Sequence, residues 1–226
     1  QWQAWLSPGT KAGLLIGLSL AVLTYGVFEA RSLQVVHVPL SSSRLDSTIT
    51  VAQISDLHLG LLAGERRVRS IRAALEGIGP DILVCTGDLI DSNPEFLARV
   101  GRELQGLDAP MGKFAVTGNH ETYAGLERSR QFLRSSGFTV LDNQVWTGPG
   151  LVLAGRSYRQ QQECALEAEQ LKSLKQGDYV ILLKHDPKVC PEGSELFDLQ
   201  LSGHTHKGQI FPFGLVVKIF YNHVSG

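Results

Sequence analysis

Five short segments place histidine, aspartate and asparagine just beyond apolar, strand-like runs: Asp56-Leu57-His58, Gly87-Asp88, Gly118-Asn119-His120-Glu121, Lys184-His185-Asp186 and Gly203-His204-Thr205-His206. Carboxylates, amide oxygens and imidazoles are donors that divalent cations accept, and there are enough here to hold two ions side by side. Such a pair suits one chemistry in particular. A phosphate ester is anionic and repels hydroxide, so its hydrolysis needs positive charge at the reacting centre. Two cations about 3.5–4 Å apart clamp the phosphoryl oxygens and lower the pKa of a shared water. Ions that close need a bridging carboxylate, and Asp88 is the residue expected to bridge. Imidazole with oxygen donors suits Mn, Fe or Zn better than Ca or Mg, and the lack of cysteine in the set argues against a purely structural zinc site.

Each segment alone has an ordinary reading. Asp-x-His is commonly a loop with a polar end, Gly-Asp a turn, Gly-Asn-His a helix cap and His-x-His a solvated hairpin. What shifts the balance is that five of the seven histidines fall at strand-to-loop junctions, with His37 and His223 outside the set. Asp56 and His58 are two apart, as are His204 and His206, so in extended chain each pair shares a face. Glycines at 60, 87, 118 and 203 permit sharp turns with backbone close to a ligand.

The elements that must position these residues follow from the apolar pattern. Strands are expected at Thr48 to Ile54, Ile82 to Cys85 and Lys113 to Val116, and helices at Glu65 to Leu75, Glu95 to Leu104 and Leu126 to Leu133. This alternation implies a largely parallel sheet of right-handed βαβ units, whose ligand cleft lies at the carboxyl ends of the strands. The second half is richer in strand. Short runs are expected at Thr139 to Leu141, Gln144 to Trp146 and Leu151 to Ala154, then a helix at Glu163 to Leu174 and a strand at Tyr179 to Leu183. Further strands are expected at Gln209 to Phe211 and Leu215 to Phe220. A second sheet packed on the first, with helices outside, is the natural architecture.

With 43% hydrophobic and 19% charged residues the 226-residue chain is composed as a globular domain with an appendage. Its formal net charge of −1 advertises no nucleic-acid partner. The three cysteines, Cys85, Cys164 and Cys190, are far apart and form no C-x-x-C pair, so neither a zinc ribbon nor a disulfide framework is expected. Cys85 lies in an apolar strand and reads as buried and inert; Cys190, five residues past His185, is a remote candidate for a catalytic thiol. Residues 12 to 28 carry no charge between Lys11 and Glu29, close to the roughly 20 residues of a membrane-spanning helix. A signal-peptide core and a buried core helix are the alternatives. A connector with a short strand, Leu33 to Val38, follows.

The five segments, in this order, resemble the calcineurin-like metallophosphoesterase superfamily, whose pattern runs Asp-x-His, Gly-Asp, Gly-Asn-His-Glu/Asp, a lone His, then Gly-His-x-His. The gaps from Asp56 to Asp88 and from Asp88 to Asn119, 32 and 31 residues, also match. The likeness covers about residues 48 to 212, and the wording Ser55-Asp56-Leu57-His58-Leu59-Gly60 behind a hydrophobic segment looks most like the bacterial membrane-associated, phosphodiesterase-like branch. The resemblance implies a four-layer α/β/β/α sandwich. It implies one metal on Asp56, His58, Asp88 and His206, and a second on Asp88, Asn119, His185 and His204. His120 then faces substrate, stabilises developing charge and protonates the leaving oxygen, with Asp91 orienting it and favouring its acid form; for Asp91 the alternative is a helix cap before Pro94. Lys207 stands where relatives commonly have glycine, and the chain stops 20 residues past His206, so it reads as truncated at both ends.

The expected organisation is an N-terminal transmembrane segment at 1–30, a connector at 31–47 and a catalytic domain at 48–226. The expected activity is hydrolysis of phosphodiester or pyrophosphate bonds, of lipid-linked substrates beside a bacterial inner membrane, by a dinuclear centre with a bridging hydroxide and manganese as the first choice of metal. A nuclease or nucleotide phosphatase on the same fold, and a scaffold that has lost its metals, are the alternatives.

Overall fold

The computed structural model describes residues 7–60, 64–91, 93–160, 163–174 and 177–206. Two compact units divide the chain, Gln1–Pro39 and Leu40–Gly226. The first contains helix α1 (Pro8–Arg31). Its stretch Pro8–Phe28 is long and apolar enough to cross a membrane, and none of it is buried by protein. The strand expected at Leu33 to Val38 is not formed. Residues 32–42 run without regular structure, and Leu33, Val35, Val36 and Val38 are all exposed. A β-prone run with no strand to pair with has nothing to satisfy its backbone.

In the second unit, β1 (Val51–Ile54), β2 (Ile82–Cys85), β3 (Gly112–Ala115) and β4 (Thr139–Val140) form a parallel sheet in that order. Helices α2 (Glu65–Ile78), α3 (Ala98–Gln105), α4 (Asn119–Tyr123) and α5 (Leu126–Ser135) lie in the crossovers. Helix α2 shows why the sequence folds this way. Val68, Ile71 and Leu75 recur at helical spacing and are its buried face, and it stops at Gly79, whose N–H closes on Leu75 O at 2.8 Å. The helix expected from Glu95 begins instead as a 3₁₀ turn, Pro94–Leu97, capped by Asn93 Oδ1 accepting from Glu95 N.

A second sheet runs β5 (Val145–Gly148), β6 (Leu151–Gly155), β7 (Tyr179–Leu183) and β8 (Leu199–Leu201), antiparallel between β5 and β6 and parallel thereafter. Helix α6 (Cys164–Lys172) connects β6 to β7. Strand β8 was not foreseen: its three residues are too few to show a period. The strands expected after residue 208 lie outside the described residues.

Three apolar clusters define the layers. Leu83, Cys85 and Ala115 pack against α2, α3 and α5 through Ile71, Leu104 and Phe132. Val84, Phe114 and Val116 meet Leu153, Ile181 and Leu183 between the sheets. Val152, Val180 and Leu182 cover Leu171 of α6. The order is helix, sheet, sheet, helix. Strands buried on both faces read as unbroken apolar runs, which is why β2 and β7 were plain in the sequence.

Candidate metal centre

Every predicted site residue from the first sheet follows the carboxyl end of a parallel strand. Asp56 and His58 follow β1, Asp88 follows β2, and Asn119 and His120 open α4 after β3. From the second sheet, His185 follows β7, and His204 and His206 follow β8. The two sheets thus deliver their polar ends to one rim.

The backbone there is unusual. Among the described residues six non-glycines have left-handed backbone, and five are site residues: Asp56 (φ 53°), His58 (46°), Asp88 (50°), His204 (74°) and His206 (50°). Such conformations cost about 1–3 kcal/mol each and persist only where surroundings over-determine them. Here the loops hold one another. Asp56 N donates to Gly87 O at 3.1 Å, His58 N to Asp88 O at 3.0 Å, and His204 N to both Asp56 carboxylate oxygens. Two glycines make this contact possible. At Gly87 (φ 98°) a Cβ would sit 2.6 Å from His185 Nδ1, and at Gly203 it would collide with Ser55 Oγ and Asp56 Oδ2.

Two groups of donor atoms result, meeting at Asp88. In the first, His58 Nε2 lies 3.2 Å from His206 Nε2 and 4.0 Å from Asp88 Oδ2, and His206 Nε2 lies 3.5 Å from Asp56 Oδ1. In the second, His185 Nε2 is 3.2 Å from Asp88 Oδ2, 3.1 Å from Asn119 Oδ1 and 3.1 Å from His204 Nδ1, and Asn119 Oδ1 is 3.1 Å from His204 Nδ1. His185 Nδ1 donates to Thr86 O at 2.8 Å, which turns Nε2 toward Asp88, Asn119 and His204. Ligands on bonds of about 2.1 Å around one ion are about 3.0–3.4 Å apart, so the spacing in the second group fits a shared ion.

Burial sharpens the electrostatics: Asp88, Asn119 and His185 are buried. Burial opposes ionisation of Asp88, yet the hydrogen bond and charge of His185 hold its carboxyl below the usual range. His58 and His204 are pushed down, chiefly by burial, toward the neutral imidazole a metal needs. His185 is also opposed by burial, but Asp88 wins and raises it.

His120 forms a third group with His58 and Asp88, its ring 4.4 Å from that of His58. Its Nδ1 donates to Asp91 Oδ1 at 2.5 Å, and its Nε2 faces the centre 4.0 Å from Asp88 Oδ2. The cap before Pro94 is Asn93, and Asp91 Oδ1 instead faces two imidazoles, that of His120 and, at 3.6 Å, that of His58. Three further residues carry the site although the sequence reading gave them no role. Fully buried Glu121 accepts from the backbone N–H groups of Asp88 (2.9 Å), Ile90 (3.1 Å) and Gly118 (2.7 Å), pinning the β2 and β3 loops together. Burial pushes its carboxyl up, while three converging N–H donors suit the anion. Lys184 and Glu167 form an ion pair at 2.9 Å with no exposure to speak of, beside His185. The acidic fourth position of Gly-Asn-His-Glu was visible in the sequence; the Lys184 pair was not, since lysine is rarely buried.

The cysteine expectation is corrected. Cys164, at the start of α6, is disulfide-bonded to Cys190, with Cα atoms 5.3 Å apart. The pairing depends on α6 packing against the turn Pro191–Gly193, a tertiary contact that spacing does not reveal. Cys190 is therefore no nucleophile. Cys85 is free and buried, and burial pushes its thiol up.

A two-sheet sandwich with helices outside and a rim of histidine, carboxylate and amide donors defines a metal-dependent phosphoesterase. Residues 49–208 match the family model for the calcineurin-like phosphoesterases, and the chain belongs to that family. It is 39% identical over 208 residues to an uncharacterized metallophosphoesterase of Aquifex aeolicus, covering 88% of this chain and 80% of the relative. A metallophosphoesterase of Helicobacter pylori is 35% identical over 230 residues, with 96% of this chain and 62% of the relative covered. A zebrafish (Danio rerio) transmembrane protein with metallophosphoesterase domain is 29% identical over 228 residues, 92% of this chain and 52% of the relative. The chain thus spans only part of several relatives it matches.

Proposed function

We propose that this chain hydrolyses phosphodiester or pyrophosphate bonds with two divalent cations, anchored to a membrane by α1 and acting on lipid-linked substrates. The observation that carries the reading is the two clusters of potential ligand atoms that meet at Asp88. Asp56, His58, Asp88 and His206 hold one ion; Asp88, Asn119, His185 and His204 hold the other. Manganese, iron or zinc suits this mixture of imidazole and oxygen. When bound, the ions supply positive charge for phosphoryl oxygens and a nucleophile from water at neutral pH. His120, held by Asp91, presents Nε2 toward the centre and gives a proton to the leaving oxygen. The lipid-linked substrate follows from α1, an apolar helix of spanning length that would keep the site near a bilayer. The bacterial inner membrane fits the similarity to bacterial relatives, and the disulfide favours the side away from the cytoplasm.

Metal analysis of the purified protein, paired with hydrolysis of bis(4-nitrophenyl) phosphate in Mn²⁺, tests the reading. About two ions per chain and metal-dependent turnover are expected, and Asp88→Asn should remove both. Fewer than one ion with no hydrolysis in the wild type would sink it.

A further inference from the structure

Tyr158, which belongs to none of the five motif segments, packs on two of the predicted ligands. Its ring centre lies 5.8 Å from that of His185 and 6.0 Å from that of His204, at interplanar angles of 71° and 46°. The two imidazoles are themselves edge-on, 4.9 Å apart. Rings at these separations and tilts attract one another, edge to face. Both imidazoles belong to the second group of donors. In the first group, among the described residues, the ring partners of His58 are imidazoles, those of His206 and His120.

The backbone that carries Tyr158 is tied down. The residue opens a 3₁₀ turn, Tyr158–Gln160, between β6 and α6. Just before it, Arg156 N donates to Leu183 O at 2.9 Å, at the end of the strand that leads into His185. The buried Arg156 side chain crosses the turn, with Nη2 donating to Gln160 O at 3.1 Å and Nη1 to Gln170 Oε1 at 3.3 Å. Asn143 closes the other side: its Oδ1 accepts from Ser157 N at 3.2 Å, and its Nδ2 donates to Gln160 Oε1. Asn143 is the sixth non-glycine with left-handed backbone (φ 56°), and the one that is not a site residue. Asparagine is among the residues that accept this conformation, and here it aims a side chain at both ends of the Tyr158 turn.

We infer that Tyr158 is a positioning residue of the second metal group, whose ring fixes the imidazoles of His185 and His204 and so sets how tightly that one ion is held. The inference rests on the two-ion reading above and adds a residue to one of its sites. His185 is already oriented by its bond to Thr86 O. His204 presents Nδ1 to Asn119 and His185, and the Tyr158 ring packed against it keeps that nitrogen turned inward. Groups that orient metal ligands without touching the metal typically contribute about 10–100-fold in affinity. The first group, which Tyr158 does not reach, is independent of it.

Calorimetric titration of the full chain with Mn²⁺, with one group disabled at a time, tests the role. In a His206→Ala background the remaining ion lies in the second group. There Tyr158→Leu should raise Kd about ten-fold or more, and Tyr158→Phe, which keeps the ring, should leave it within about two-fold. In an Asn119→Ala background the remaining ion lies in the first group, and Tyr158→Leu should leave its Kd unchanged. Asn143→Ala, which loosens the turn without touching a histidine, should weaken the ion of the His206→Ala background alone; it carries the same comparison if Tyr158→Leu does not fold. Equal losses in the two backgrounds, no loss in either, or Tyr158→Phe falling as far as Tyr158→Leu overturns the positioning role and leaves the two-ion reading standing. A wild type that binds fewer than one ion overturns both.

Discussion

His120 occupies a position that two roles compete for. Its Nε2 is near enough to Asp88 and His58 to join a third donor cluster with them, yet its Nδ1 is held by Asp91. A ligand and a proton donor respond differently to removal. If His120 donates a proton, His120→Ala should lower kcat by about 10²–10⁴-fold with metal content unchanged. Asp91→Ala, which leaves the imidazole unoriented, should lower it by about 10–100-fold. Metal analysis and turnover on the same preparations decide the matter, for loss of an ion in His120→Ala would make His120 a ligand. Glu121 shows what the motif concealed at this scale. In the sequence it is one more acidic residue after Gly-Asn-His. In the fold it is buried and binds three N–H groups from two loops, so it acts on the centre through backbone alone.

The strand-end loops carry five left-handed non-glycine residues whose donor atoms face one another. The proposed cations would relieve that convergence, and a folded domain that binds them is stabilised by the binding. At about 1,000 times Kd one ion contributes about 4 kcal/mol. Domains of about 150–250 residues shift roughly 2–4 °C per kcal/mol. Chelation should therefore lower Tm by roughly 8–16 °C for each tightly held ion, and Mn²⁺ should restore it; a melting curve indifferent to EDTA would show that the loops hold their shape unaided. These elements were partly legible beforehand. The apolar runs of β1, β2, β3 and β7 and the helical spacing in α2 and α5 declare themselves because helices cover the outer face of each sheet and the two sheets cover each other. Strand β8 was missed because Leu199–Leu201 is three residues long, and α4 because Asn119–Tyr123 is a single short helix. Leu33 to Val38 misled in the opposite sense, with strand-forming residues and no edge to join. The ligand candidates were legible as a set since donors of the right type recur at strand ends. Glu121, the Lys184–Glu167 pair and the role of Gly87 were not, because each depends on which loops touch.

At the scale of the whole molecule the disulfide carries information the charge and hydropathy did not. Cys164–Cys190 ties α6 to the segment that leaves β7 through His185, closing a loop across 26 residues. A bridge of that span contributes about 3.5 kcal/mol by constraining the unfolded chain. Such bonds persist outside the cytoplasm and are reduced within it. Joined to an apolar helix of spanning length, it predicts an anchored domain on the far side of the membrane. Cys85 supplies the internal standard, being buried with its thiol raised by burial and so unreactive in the folded protein. Cells treated with N-ethylmaleimide before lysis should yield protein with no labelled cysteine. After denaturation without reductant one thiol should react, and with reductant all three. Alkylation of Cys164 and Cys190 in the first step would place the domain in the cytoplasm and leave the pair as a reduced contact.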